Sequence, residues 1–136
     1  MAGKSNYLEE QLLNAVFRGI TFPVITTVYI ALFSTGPGED GTGGTELSAA
    51  GYARVPVACS TSNWKDPASA TQGQTNNSID IVFPVANADW GTANAFGIYD
   101  APTAGNLLYF NTMTGVACPT LSQPIFDTAA LVVSED

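Results

Sequence analysis

Three observations on this sequence predict a mainly β fold: an antiparallel β-sandwich or jelly-roll-like barrel carrying one N-terminal amphipathic helix. Short runs rich in β-branched and aromatic residues recur along the chain, separated by turn signals about every eight to twelve residues. Helical periodicity is confined to the N-terminus, so a sheet of strands joined by crossover helices has no helices to build it. Finally, 136 residues with 46% hydrophobic content supply one core of ordinary size. The organisation expected is an N-terminal helix or arm over residues 1–22 and a single β-sandwich body over residues 23–136.

The helix is read over Asn6 to Arg18. Leu8, Leu12 and Val16, with Ala15, recur at spacings of three and four, while Glu9, Glu10, Asn14 and Arg18 face away. Asn6 followed by Glu9 has the spacing of a capping box, and Gly19 stands where a left-handed residue ends a helix. Tyr7, Leu13 and Phe17 widen the apolar surface beyond one stripe, so more than one surface should be touched. Two readings follow: a helix that covers the end of a sheet, or an arm that docks on a neighbouring subunit.

After Pro23 the period changes, and Val24 to Phe33 reads as one long, mostly buried strand. Ser34 to Thr45 holds five glycines and a proline and is an exposed loop. Its Glu39 and Asp40 lack the acid spacing of a twelve-residue calcium loop, so a solvated loop is expected there and no metal. Tyr52 to Cys59 is a strand that Pro56 restricts to an edge or a bulge. Ser60 to Ser78 is polar and reads as loop or irregular edge, with Trp64 folding back as a lid on the core or, alternatively, stacking on a sugar. Ile79 to Val85, Ala95 to Asp100 and Asn106 to Met113 are further strands, the last two joined by a glycine-containing hairpin turn; Ile125 to Asp127 and Ala130 to Ser134 close the chain.

Composition removes much chemistry. The chain has no histidine, which eliminates histidine-based triads, histidine–zinc sites and the usual switch near neutral pH. Twelve acids against Lys4, Arg18, Arg54 and Lys65 give a net charge of −8, opposed to any phosphate backbone. All four cations lie in the first 65 residues, two of them at or beside the helix, which marks the helix as the attachment element and the acidic body as the outward part. No glycine-rich loop carries the lysine of a phosphate cradle. The N-terminus lacks an apolar signal core and the longest apolar run, Val28 to Phe33, is far too short to span a bilayer, so a chain made in the cytoplasm without membrane contact is expected. Cys59 and Cys118 are read as two small buried thiols, with a disulfide as the alternative.

Paired carboxylates remain as the one catalytic option, through Asp80, Asp89 and Asp100. Asp89 and Asp100 fit turn-stabilising roles instead, each accepting from the backbone N–H two residues on. The aromatics Trp64, Trp90, Phe96, Tyr99, Tyr109 and Phe110 could line a carbohydrate groove but should mostly be core; alternation sends Phe96 and Ile98 to one face and Tyr99 to the other, leaving Tyr99 as the candidate for binding.

The segments SNYLEEQLLNAVFRG, VYIALFSTGPGEDGTG, GYARVPVA, IVFPVANADWG and AFGIYDAPTAGNLLYF, taken in order from Ser5 to Phe110, resemble small structural proteins from the virion gene clusters of tailed bacteriophages, either capsid decoration (cement) or tail-fibre-like proteins. The last 26 residues resemble them less clearly. The resemblance implies a virion location after synthesis in the host cytoplasm, assembly on a symmetric lattice as a homo-oligomer such as a trimer, no catalysis and no cofactor. The function expected first is capsid decoration: binding and stabilising the lattice of the major capsid protein. A tail- or fibre-associated protein with receptor or glycan binding is the alternative, and a carboxylate-dependent glycan hydrolase comes third. In each structural reading Tyr7, Leu8, Leu12, Leu13, Val16, Phe17 and Arg18 are the candidate partner-binding residues.

Overall fold

The structure, a computed structural model, describes residues 3–69 and 72–135. Its main sheet is antiparallel and built around β2 (Thr27–Thr35), β7 (Thr92–Tyr99) and β8 (Leu107–Ala117), with β1 (Gly3–Lys4) outside β8. On the other side of β2, β3 (Thr45–Glu46) pairs with its end and β4 (Val55–Ala58) with its beginning. Helix α1 (Asn6–Phe17) lies between β1 and β2 in the chain. Two small antiparallel pairs complete the fold: β5 (Gln74–Asn76) with β10 (Val132–Ser134), and β6 (Ile81–Val82) with β9 (Ile125–Phe126). The fold is thus mainly β and antiparallel with one N-terminal helix; the main sheet stays open, and it is not a closed barrel.

Strand alternation sorts the core. Ile30 and Leu32 of β2 share a face with Phe96 and Ile98 of β7 and with Leu108; Ile81 and Val133 from the small pairs, with Leu131 just before β10, close over that face. Ala31 and Phe33 point the other way, with Ala95, Tyr99 and Leu107. Both faces of the sheet centre are therefore covered, which is why VYIALF reads as an unbroken apolar run rather than an alternating one. Gly97 sits between the Phe33 and Tyr99 rings, whose centroids are 6.3 Å apart; a Cβ there would come within 3.0 to 3.2 Å of Tyr99, Phe33 and Leu107.

Several boundaries differ from expectation. The strand expected from Val24 starts at Thr27 and runs through Thr35. Within 60–78, expected as loop or irregular edge, Gln74–Asn76 form a short strand paired with Val132–Ser134, a partner that polar side chains do not announce; Ala70 and Thr71 of that stretch lie outside the described residues. The strand expected over Ile79 to Val85 keeps only Ile81–Val82, because Pro84 has no N–H to continue the ladder. β8 outruns Met113 to Ala117, paired with the start of β7. Pro56 occupies an edge strand, as its missing donor requires.

Two polar clusters tie the layers. Asn77, fully buried, donates through Nδ2 to the carbonyls of Ile79 and Asp127 (2.8 Å each) and accepts from the Leu131 amide at Oδ1 (2.9 Å). Arg54 forms a two-toothed pair with Glu46 (2.8 and 2.9 Å), donates to the carbonyls of Ala101 and Ala104 in the β7–β8 turn (2.9 Å), and lies 3.8 Å from the centre of the Tyr99 ring. Tyr52 adds its hydroxyl to the same Glu46 carboxylate (2.8 Å) and accepts from the Leu32 amide.

Burial raises the phenol of Tyr52 well above its usual value, and the adjacent Glu46 charge reinforces the shift. Tyr109 is raised for the same first reason, with its bond to Glu135 adding to it. Each phenol holds its proton more firmly folded than unfolded, where it is lost near pH 10. The contribution is therefore complete below about pH 10 and disappears as pH climbs through the folded values. Thermal unfolding followed from pH 8 to 12 is expected to show a midpoint that falls above about pH 10, with a shallower fall in Tyr109→Phe; a variant profile as steep as the parent's would contradict this.

Candidate functional site

The first turn of α1 is fixed by sheet and loop. The Ser5 amide donates to the Leu108 carbonyl (2.9 Å) and the Asn6 amide to the Glu39 carbonyl (2.8 Å). Ser5, not Asn6, is the N-cap: it is buried, and its Oγ accepts from the Leu8 amide (3.2 Å) while donating to the Leu107 carbonyl. The expected capping box of Asn6 and Glu9 therefore does not form: the cap moves to Ser5, whose N3 residue is Leu8 and has no carboxylate to reciprocate, because β1 carries Ser5 into the sheet edge. At the other end Gly19 takes the left-handed φ of +65° and the Ile20 amide turns back to the Asn14 carbonyl (3.2 Å), as the glycine allows.

Six of the seven candidate residues fall into two groups, with Arg18 at the end of the helix. Leu8 is buried in the core and Tyr7 packs half-buried against it, so these two anchor the helix. Gln11, Asn14 and Ala15 are half-covered on the same side. The opposite side carries Leu12, Leu13, Val16 and Phe17 at 42, 57, 64 and 78% exposure, followed by Ile20 at 44%. The reading in which the Leu8, Leu12 and Val16 stripe covers a sheet end holds for Leu8 alone. Arg18 caps the helix at its exposed end and donates to the Asn14 side chain (2.8 Å). A helix held rigidly at its base thus presents contiguous large apolar side chains to solvent, the kind of patch that marks a protein contact.

A family model described as podophage GP4 fiber I protein gp80 matches residues 3–123. The chain belongs to that family. It is accordingly a bacteriophage virion protein of fibre type, and the match takes in the whole of α1 with most of the body. Among curated proteins no match to the chain is found.

Other features of this gp80-family chain resolve as follows. Asp80 accepts from Thr128 (2.8 Å), Asp89 from the Gly91 amide (2.8 Å) and Asp100 from the Asn106 amide (2.7 Å), so each carboxylate is engaged in its own local contact. Asp40 caps its loop through the Thr42 amide and hydroxyl, which hold its carboxyl below the usual range. Both cysteines are free thiols; Cys118 is buried as expected, its backbone bonded to Trp90 and Gly91, whereas Cys59, which follows the edge strand β4, is exposed. Trp90, Phe96 and Tyr99 are core residues; Tyr99 lies beneath Arg54, which removes it as an exposed binding ring.

Trp64 both packs on the core and borders an opening. Between the main sheet (Val28, Ile98, Leu108) and the β5–β10 pair (Thr75, Val133) lies a pocket of about 220 Å³, walled by Trp64 and Tyr109. It adjoins a groove of about 570 Å³ along Cys59 to Pro67, in which Lys65 and Asp66 stand. The spacing of these residues in sequence carries no signal, since the pocket is assembled from six separate segments.

Proposed function

We propose that this fibre-type protein is a non-catalytic structural subunit of the tail or fibre apparatus, joined to a neighbouring virion protein through the exposed face of α1. The observation that carries the reading is Phe17 at 78% exposure beside Val16 and Leu13 on a helix whose base is locked into the core. The family's fibre description supports a place on the tail; decoration of the major capsid lattice would use the same helix face and is separated by location. Labelled protein in intact particles is expected at the tail, and signal confined to the head would favour decoration.

The attachment itself is tested with Leu13→Asp/Phe17→Asp, which alters exposed residues only. Removal of residues 1–19 would also strip β1 and Leu8 from the body, so the point variant is the cleaner probe. Its stability is expected to stay within about 0.5 kcal/mol of the parent. Its copy number in virions, measured by quantitative mass spectrometry after complementation, is expected to fall at least about tenfold, because buried apolar anchors each contribute about 1–4 kcal/mol to an interface. Incorporation at the parental level would reject the helix as the attachment element.

A further inference from the structure

The indole of Trp64 stands where two openings meet. With Cys59 and Thr75 it lines both the apolar pocket of about 220 Å³ and the polar groove of about 570 Å³. We infer that this junction binds an N-acetylated amino sugar of a polysaccharide, whose acetamido group enters the pocket while its hydroxylated ring lies in the groove along Trp64. No residue of α1 lines either space, so the inference stands apart from the attachment reading.

The hydrogen-bonding groups at the junction are open in both senses. The Trp64 indole N–H, the Lys65 ammonium and the Thr61 hydroxyl have no acceptor among the described residues. No buried side-chain donor among those residues goes unbonded, so the indole N–H is open to solvent. Thr75 and Tyr109 carry the hydroxyls of the pocket wall, and they donate to the Lys65 carbonyl (2.6 Å) and the Glu135 carboxylate, which leaves each oxygen as an acceptor. An acetamido group answers both needs: its N–H donates to such an oxygen and its carbonyl accepts from the indole or the ammonium. Its methyl then meets Val28, Ile98, Leu108 and Val133. A hydrocarbon side chain would fill the same space but would displace water from these groups without replacing its hydrogen bonds.

Charge and size agree. Lys65 and Asp66 stand side by side in the groove, so its local charge is balanced within a chain of net charge −8, which suits a neutral polyol rather than an ion. Asp66 accepts from the Ala68 amide through Oδ1 (2.9 Å) and keeps Oδ2 for a sugar hydroxyl. A dry cavity of about 150 Å³ takes a benzene ring, so about 220 Å³ takes the acetamido group with the ring edge that bears it. The groove lies within the range of about 300–1,000 Å³ usual for ligand sites. Its platform is fixed before a ligand arrives: the Trp64 amide donates to the Ser60 carbonyl (3.1 Å) and the Lys65 amide to the Asn76 carbonyl (3.0 Å), which lowers the ordering cost of binding.

The probe is triacetylchitotriose, and its control is cellotriose, in which hydroxyls replace the acetamido groups. Cys59 reports occupancy, because it is exposed at the junction whereas Cys118 is buried. Saturating triacetylchitotriose is expected to slow maleimide labelling of Cys59 at least about tenfold, and calorimetric titration to show it bound at least about tenfold more tightly than cellotriose. Affinity is expected to fall at least about tenfold in Trp64→Ala and in the maleimide adduct of the parent protein, the adduct serving alone if Trp64→Ala does not fold. Leu13→Asp/Phe17→Asp is expected to bind the trisaccharide as the parent does. Weaker protection of Cys59, a smaller preference over cellotriose, or parental affinity in the adduct overturns the inference. Loss of binding in Leu13→Asp/Phe17→Asp overturns the placement of the site away from α1.

Discussion

Asn77→Ala is expected to destabilise the protein by about 3–5 kcal/mol, the largest effect of any single side chain outside the apolar core. Asn77 is fully buried and serves two carbonyls and one amide across three segments: the approach to β6, the end of β9 and the approach to β10. Truncation strands those groups away from water, each at about 1–3 kcal/mol, and leaves a small void. Thermal unfolding should fall by roughly 10–20 °C for a domain of this size. Asn77→Asp preserves the volume but turns the donating end into an acceptor facing two carbonyl oxygens, and should be equally severe. A loss below about 1 kcal/mol in urea titration for both variants would show that backbone pairing alone holds these segments.

Glu46→Ala should cost about 2–3 kcal/mol, below the usual range for breaking a buried pair because Glu46 keeps 27% side-chain exposure. The Arg54 side chain, 7% exposed, would remain over Tyr99 with the Ala101 and Ala104 carbonyls but without its counter-charge, and Tyr52 would lose the acceptor of its hydroxyl. Arg54→Met removes the stranded charge, so the double variant should lie closer to the parent than the sum of the single variants by about 1–2 kcal/mol. Strict additivity in that double-mutant cycle would place the two residues in independent roles.

How much of this was legible in the sequence depends on how locally each feature is specified. The long central strands were readable because β-branched and aromatic runs between turn residues carry their own signal, and Pro56 marked its strand as an edge through a missing donor. β5 was readable only as loop or irregular edge, because Gln74–Asn76 is polar and becomes a defined strand only when Val132–Ser134 arrives beside it. Asp89 was readable as a turn residue bonding the amide two positions on, whereas Asp100 spans its turn to the Asn106 amide six positions on, a reach that the two-residue rule does not give. Asp80 bonds Thr128, a contact that no short-range spacing announces.

The helix shows the same division within one element. Its existence, its closure at Gly19 and the identity of its apolar residues follow from periodicity and from the conformational freedom of glycine. Which of those residues face the body does not, since a helix ringed by Tyr7, Leu8, Leu12, Leu13, Val16 and Phe17 has several faces able to bury. The bonds of Ser5 to Leu107 and Leu108 set the rotation of α1, sending Leu8 inward and Phe17 outward.

The opening beside Trp64 lies wholly beyond local reading, because its walls come from residues as distant as Val28 and Val133. By itself the sequence determined the fold class, the absence of histidine and basic-patch chemistry, and a helix with more apolar surface than one contact can use. Only the tertiary structure decided which part of that surface is spent on the core and which remains for a neighbour. Periodicity is a property of adjacent residues, whereas burial is settled by distant strands that compete for the same faces.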